Sequence, residues 1–460
     1  MTLVELMVTM VIAAIVAAST FMFFAGQQRV YETQTKMLNV QQNAWASMEV
    51  LSRFVRLAGS GMYGCVRPVG GTAPPLNRAG SDPDDSDDPP VVAAVRDFSQ
   101  RPNAGLRAYN SATGQAQRIP PVWIVDQVDP NQPTATGIVP GTDVITVAFG
   151  NRSSGTNFDS PLAGAVTATN GAIVAGTLVP SVNNSVMFQP GEFILLIGER
   201  GMGVSGFGFL SDVGCTLFQI TSVTSATSTL NHATAASGIC SPPPATGCAG
   251  SVWNPPGTIA AMIPSPGPGY LSYSLGPPVT GGNTGIRNFG EFWWVRFAVR
   301  TAAADGTPLA NTNRGIAGVT HDVPVLTMER LDGSASAAGS GPQILAEGIE
   351  DLQVAFACDL NADGVLTEGT PTNALDEWTL NDPADVVATT NARKCNQPSA
   401  LRLTLIARSL TEDNGIDATL TDNGRPAIEN HAGHTANNDF NTGRDQFRRR
   451  VLTTTVYPRN

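Results

Sequence analysis

The stretch D-L-N-A-D-G, Asp359 to Gly364, carries the clearest chemistry in the sequence. Side-chain oxygens at alternate positions, followed by a Gly for a sharp turn, are what a calcium loop of the EF-hand type requires. Asp359, Asn361 and Asp363 would be the first ligands and the Val365 carbonyl the next, which predicts a structural Ca²⁺. The loop end departs from that pattern, because its twelfth position is Thr370 and Glu368 comes two residues early. The flanking residues read as strand, so the loop would stand alone between strands. The competing expectation is an Asx-rich turn without metal.

Glu5 raises a different question. From Leu6 to Gln28 no residue is charged, and such a run is long enough for a hydrocarbon layer of about 30 Å. An ionised Glu in that layer costs on the order of 3 kcal/mol and calls for a partner. If Met1 is the mature terminus, the nearest cation is its amine, but the Glu5 carboxylate lies about 6 Å along the helix axis from residue 1. A neighbouring copy, staggered by that rise, would offer its amine instead. No basic residue precedes the apolar run and no small-residue cleavage site follows it, so it does not read as a secretory signal peptide.

Other patterns lead nowhere. GMGVSG from Gly201 fits G-x-G-x-x-G and follows FILLIGER, yet no helical periodicity comes after it, as a dinucleotide site needs. His431 and His434 sit in the polar HAGHTANND and read as surface loop, and the acidic SDPDDSDDPP from Ser81 reads as a solvated loop. With four His and Ser residues mostly in loops, no triad or acid–base pair can be nominated, so no enzyme is expected. The net charge of −11 argues against nucleic-acid binding, which needs clustered Lys and Arg.

These residues must be positioned by larger elements. There is no Pro from Met1 to Arg56, and Ala44, Met48, Leu51, Val55 and Ala58 recur at spacings of four and three. One continuous helix of roughly 85 Å is predicted, stopping at Gly59 or Gly61. Residues 1–28 would lie in lipid or in a filament core, and 29–58 would pack their apolar stripe on a head. The remaining residues, with Gly 47 and Pro 33 in the chain, favour short strands joined by long loops. Strands are predicted at 122–125, 143–149, 193–197, 216–223, 292–299, 323–328, 352–357, 401–410 and 451–456, with loops dominating 66–120 and 225–290. In Leu401-Arg402-Leu403-Thr404-Leu405 the alternation predicts a half-buried antiparallel strand. The expected fold is α+β: a long N-terminal helix (1–58) on a large, loop-rich, mainly antiparallel β head, divided into 59–290 and a second β-rich part, 291–460, that holds the calcium loop.

Six Cys in a chain that enters a membrane by its N-terminus suggest an oxidising exterior, where they could pair in fifteen ways. Proximity favours Cys240–Cys248 and Cys358–Cys395, leaving Cys65–Cys215 to tie the chain just after the helix to a head strand.

T-L-V-E-L-M-V at positions 2 to 8, followed by the apolar run, resembles the mature N-terminus of type IV pilins and type II secretion pseudopilins. MEVLSRFVRLAGSGMYGC from Met48, SDVGCTLFQITSV from Ser211, EGIEDLQVAFACDLNADG from Glu347 and RRRVLTTTVYPRN from Arg448 resemble segments of PilW-type minor pilins. The resemblance implies a prepilin whose leader is cut by a prepilin peptidase, with Met1 as the mature, N-methylated terminus and Glu5 guiding assembly. It implies a structural filament subunit, minor or main. It would wait in the bacterial inner membrane with its head outside the cytoplasm, then move to an extracellular pilus. Its partners would be copies of itself or other pilins, through the N-terminal helix, and the assembly machinery. Small residues Ala13, Ala14, Ala17 and Ala18 would permit close helix approach. Many major pilins break this helix with a Pro where this chain has Met22, which leans toward a minor pilin. The alternatives are a secretion pseudopilin and a filament-borne adhesin.

Overall fold

The computed structural model describes residues 2–60, 95–97, 105–110, 115–119, 121–125, 138–139, 141–151, 159–161, 172–174, 188–199, 213–224, 229–233, 240, 247–251, 253–254, 284–302, 323–331, 342–357, 359, 363–368, 377–380, 399–410, 428–429 and 447–458. The described elements are one helix, α1 (Leu3–Leu57), and the strands β1 (Val95–Asp97), β2 (Gly105–Asn110), β3 (Gln115–Ile119), β4 (Val122–Val125), β5 (Val144–Asn151), β6 (Asp159–Pro161), β7 (Ala172–Val174), β8 (Phe193–Glu199), β9 (Val213–Gln219), β10 (Ser222–Thr224), β11 (Thr229–Asn231), β12 (Thr284–Ala302), β13 (Val323–Arg330), β14 (Gln343–Glu347), β15 (Ile349–Ala357), β16 (Trp378–Thr379), β17 (Ala400–Arg408) and β18 (Arg449–Val456). The fold is α+β, a long N-terminal helix packed on antiparallel sheets.

Nothing in α1 interrupts the backbone ladder, so its 55 residues run about 83 Å at 1.5 Å per residue. It ends where Gly59 takes φ +76° and the Ser60 N–H donates to the Leu57 carbonyl, the left-handed stop that only a residue without Cβ adopts cheaply. The Gly59 N–H then donates to Ala148 of β5, and the Gly150 N–H to Ser60, which ties the helix end to the sheet. The predicted stripe is the buried face: Ala44, Met48, Leu51, Val55 and Ala58 are all inside, extended one turn by Val40. It shares one core with Ile145, Val147 and Phe149 of β5, Val295, Phe297 and Val299 of β12, and Leu401, Leu403 and Leu405 of β17.

Three sheets make up the described part of the head. In the eleven-stranded sheet the strand order is β1-β4-β5-β12-β8-β9-β2-β3, with β13 and β6 also paired to β12 and β14 paired to β13. All its pairings are antiparallel except β2 with β9. β12 is its axis: the first part pairs with β8 and the second with β5 and β13, so the sheet draws on both sides of residue 290. The register shifts at Phe289, which is fully buried. A Cβ on Gly150 would stand 2.5 Å from the Phe289 carbonyl, so the close approach at this bulge needs a glycine. The four-stranded sheet, β16-β15-β17-β18, lies against α1 through β17 and β18, and a small sheet, β10-β11-β7, stands apart from both ladders.

Two polar or glycine positions join the larger sheets. The Asp143 carboxylate accepts from the Val354 N–H (2.7 Å), and the Asp143 N–H donates to Leu352 (2.8 Å), closing the side of β15 that β16 is too short to reach. Gly348, at φ +76°, donates to Pro324 of β13 and accepts from Arg408 of β17. A Cβ there would sit 2.6 Å from the Arg408 carbonyl.

Some expectations are corrected. Within 66–120, where loops are expected to dominate, lie the strands β1, β2 and β3, and 225–290 likewise holds β11 and the start of β12. GLRAYN and QAQRI lack an apolar run, and their strand state comes from pairing with each other and with β9. The strand expected at 216–223 is two strands, broken at Ile220–Thr221, where the backbone bonds to Glu192 and Asn231. β17 is not half-buried: every residue except Arg402 is inside, because residues 363–368, 377–380 and 428–429 cover its far face.

Candidate assembly interface

The N-terminal end of α1 is a polar device on an apolar rod. Thr2 is the N-cap: its Oγ1 accepts from the Glu5 N–H (3.3 Å), and its own N–H donates to Glu5 Oε2 (3.2 Å). This is a capping box, which satisfies two of the N–H groups that a helix start leaves without partners. Thr-x-x-Glu is the sequence signal for it, hidden here because the apolar run draws attention to the Glu alone. Within one chain Glu5 therefore has a local role, and Met1 lies outside the described residues. Polar side chains farther along are satisfied by the helix itself. Thr9 Oγ1 donates to Glu5 and Leu6 carbonyls (3.0 and 2.9 Å), and Ser19 and Thr20 both donate to Val16. Hydroxyls bonded in this way enter a hydrocarbon layer without leaving a donor unpaired. From Leu3 to Phe24 every side chain is exposed, and α1 is long and apolar enough to cross a membrane.

The expected calcium loop begins directly after β15. Asp359 accepts from the Asp363 N–H (3.2 Å) and the Gly364 N–H (2.9 Å), and Asp363 Oδ1 accepts from the Val365 N–H (2.7 Å). Gly364 takes φ +79°, the sharp turn that its position in the motif calls for. Val365 is exposed, and Asn361 lies outside the described residues. Glu368 forms two hydrogen bonds to Arg402 (3.1 and 3.0 Å). Among the described residues no three of His, Cys, Asp and Glu gather as a metal cluster.

Arg402 is the hub of this corner. It also bonds Glu429, at 2.8 Å from Nη2, and lies 4.5 Å from the centre of the Trp378 ring. Thr404 donates to the same Glu429. Burial pushes the Arg402 guanidinium down, but its bonds to Glu368 and Glu429 outweigh that and raise its pKa. The loop after β15 is thus fastened to β17 by charge-assisted bonds. No spacing in the sequence announces Glu429, 27 residues from its partner.

In the region around β9 to β11, Cys240 and Cys248 form a disulfide with Cα atoms 5.5 Å apart. The Gln219 side chain donates to the Cys240 carbonyl (3.1 Å) and accepts from its N–H (3.0 Å). The Asn254 side chain bonds the Gln219 backbone in the same double fashion, at 2.9 Å each way. Cys215 lies in β9, and Cys65, Cys358 and Cys395 lie outside the described residues, as do Gly201–Gly206, His431, His434 and the acidic run from Ser81.

Comparison with protein families adds one finding. Residues 310–460 match the PilW family, described as type IV pilus-assembly protein W. The matched segment holds β13 to β18 and the loop after β15, and does not include α1. No curated protein and no solved structure matches the chain.

Proposed function

We propose, from the premise of a PilW-type, type IV pilus-related protein, that the chain is a structural subunit of a type IV pilus-like filament. Residues 3–24 of α1 hold it in the bacterial inner membrane with the head outside the cytoplasm, and the same segment then enters a helical assembly beside other pilin helices. The observation that carries this reading is the division of α1. One half is built into the head core through Val40 to Ala58, and the other is apolar, free of unpaired hydroxyls and exposed throughout. An exposed apolar rod of this length needs lipid or other helices around it. The same reading includes a structural Ca²⁺ at Asp359, Asn361 and Asp363, and disulfides Cys65–Cys215 and Cys358–Cys395.

In this reading Glu5 has two tasks, capping its own helix and meeting a cation of a neighbouring subunit, the Met1 amine where that residue is the mature terminus. Two substitutions separate them. Glu5→Gln keeps an oxygen that can accept the Thr2 N–H, whereas Glu5→Val removes that half of the capping box and leaves the Thr2 hydroxyl cap on the residue 5 N–H in place. Both variants should remain in the membrane fraction, and both should disappear from sheared surface filaments probed by immunoblot. Parental incorporation of Glu5→Gln would show that the carboxylate serves only as a cap.

A further inference from the structure

Above the apolar span, α1 carries a second seam. Phe24, Tyr31, Leu38 and Trp45 follow at seven-residue intervals and are 65%, 69%, 56% and 64% exposed. They are separate from the face that enters the head. Gln27, Gln34 and Gln41 repeat on the same interval three residues on, and Gln28 and Gln42 lie beside them. The charged residues between Phe24 and Met48 are Arg29, Glu32 and Lys36, which fall at the second and sixth positions of the repeat, away from the seam.

A seven-residue repeat drifts about 20° per heptad around a straight helix, and a partner follows it only by being a helix that winds around the first with a left-handed twist. A flat sheet or a bilayer surface imposes no such period. Two features then identify which helix. The seam continues the span that enters the membrane, so copies inserted from the same side run parallel and are aligned by the bilayer boundary. In a parallel pair each seam residue meets its own counterpart: aromatic and leucine side chains face like, and glutamine amides both donate and accept. No charge on one copy opposes the same charge on the other. We propose that Phe24, Tyr31, Leu38 and Trp45 form the seam of a parallel helix pair between two copies of this chain, running outward from Phe24 at the membrane boundary. The proposal rests on membrane insertion of α1 but not on filament incorporation.

The test uses the full chain in the inner membrane of a host without pilus machinery. p-Benzoylphenylalanine replaces Leu38 in one variant and Lys36 in another. Irradiation should give, at position 38, an adduct of twice the chain mass whose peptides come from two copies of this protein. The adduct should be absent at position 36, and lost at position 38 when Tyr31→Glu and Trp45→Glu are added. Equal yields at the two positions, or an adduct at 38 that survives those charges, overturns the proposal. So does the absence of any two-copy adduct at 38. Combining the position-38 probe with Glu5→Val distinguishes the two readings, because an intact adduct beside lost incorporation assigns the failure to the filament step alone.

Discussion

His232 is buried, stacked on Phe218 with ring centroids 5.4 Å apart, and neither ring nitrogen has a hydrogen-bond partner among the described residues. Burial holds its pKa down, from 6.5 to about 4, so the imidazole is neutral in the folded protein. The sign of the pH effect follows. Between those two values the unfolded chain binds a proton that the folded chain refuses, so stability falls as pH drops below 6.5 and levels off below 4. From pH 7.5 to pH 5 the loss is on the order of 2 kcal/mol. Urea unfolding followed by near-UV signal at those two pH values should show it, and His232→Phe should remove about that much of the pH dependence while keeping the ring contact with Phe218. An unchanged pH dependence in His232→Phe would mean that other groups are responsible.

At the scale of elements, the loop after β15 is where sequence and structure meet most closely. Gly364 and the two aspartates do what their motif positions suggest for a turn, and Arg402 with Glu429 adds a fastening to β17. Calcium at Asp359, Asn361 and Asp363 would reinforce that corner. A ligand that binds only the folded state stabilises it by RT ln(1 + [L]/Kd). With Kd near 10⁻⁴ to 10⁻³ M and millimolar calcium, the gain is roughly 0.4 to 1.4 kcal/mol. The expected result is a higher melting temperature with calcium than with chelator for the parent head, and no calcium response for Asp363→Ala. A response in both would place the ion elsewhere; a response in neither leaves the stretch a turn only. Among the elements themselves, those with a strong local pattern were legible. The stripe from Ala44 to Ala58 and the Leu alternation of β17 point to their core faces without any tertiary information. β2 and β3 are polar and owe their state to pairing, Asp143 bonds residues more than two hundred positions away, and Gly348 bonds Arg408, 60 positions on. Such junctions leave no periodic trace. The candidate site divides in the same way: Glu5 is conspicuous by its charge, whereas Thr2 needs the spacing to be read, and Glu429 has no local signal at all.

For the whole molecule, the division of α1 predicts where the chain can be cut. Of the described residues, removing 1–28 takes away only exposed side chains, since the first buried residue of the helix is Val40. The remaining head keeps Val40, Ala44, Met48, Leu51, Val55 and Ala58 in a core shared with β5, β12, β15 and β17. It should be soluble and melt in one cooperative transition. Removing residues 1–59 leaves the opposing faces of both larger sheets without their cover, because α1 packs on β14, β17 and β18. Each lost large aliphatic side chain in such a core is worth about 2 to 5 kcal/mol, and a domain has about 5 to 15 kcal/mol in all. The shorter piece should therefore bind a hydrophobic dye and show no cooperative melt. Leu51→Ala in the 29–460 head tests the same point without a truncation: at full burial, a loss of about 2 to 5 kcal/mol is expected from denaturant unfolding. If the piece starting at residue 60 melts like the head starting at residue 29, and Leu51→Ala costs nothing measurable, the second half of α1 is a tether on the head and not part of its core.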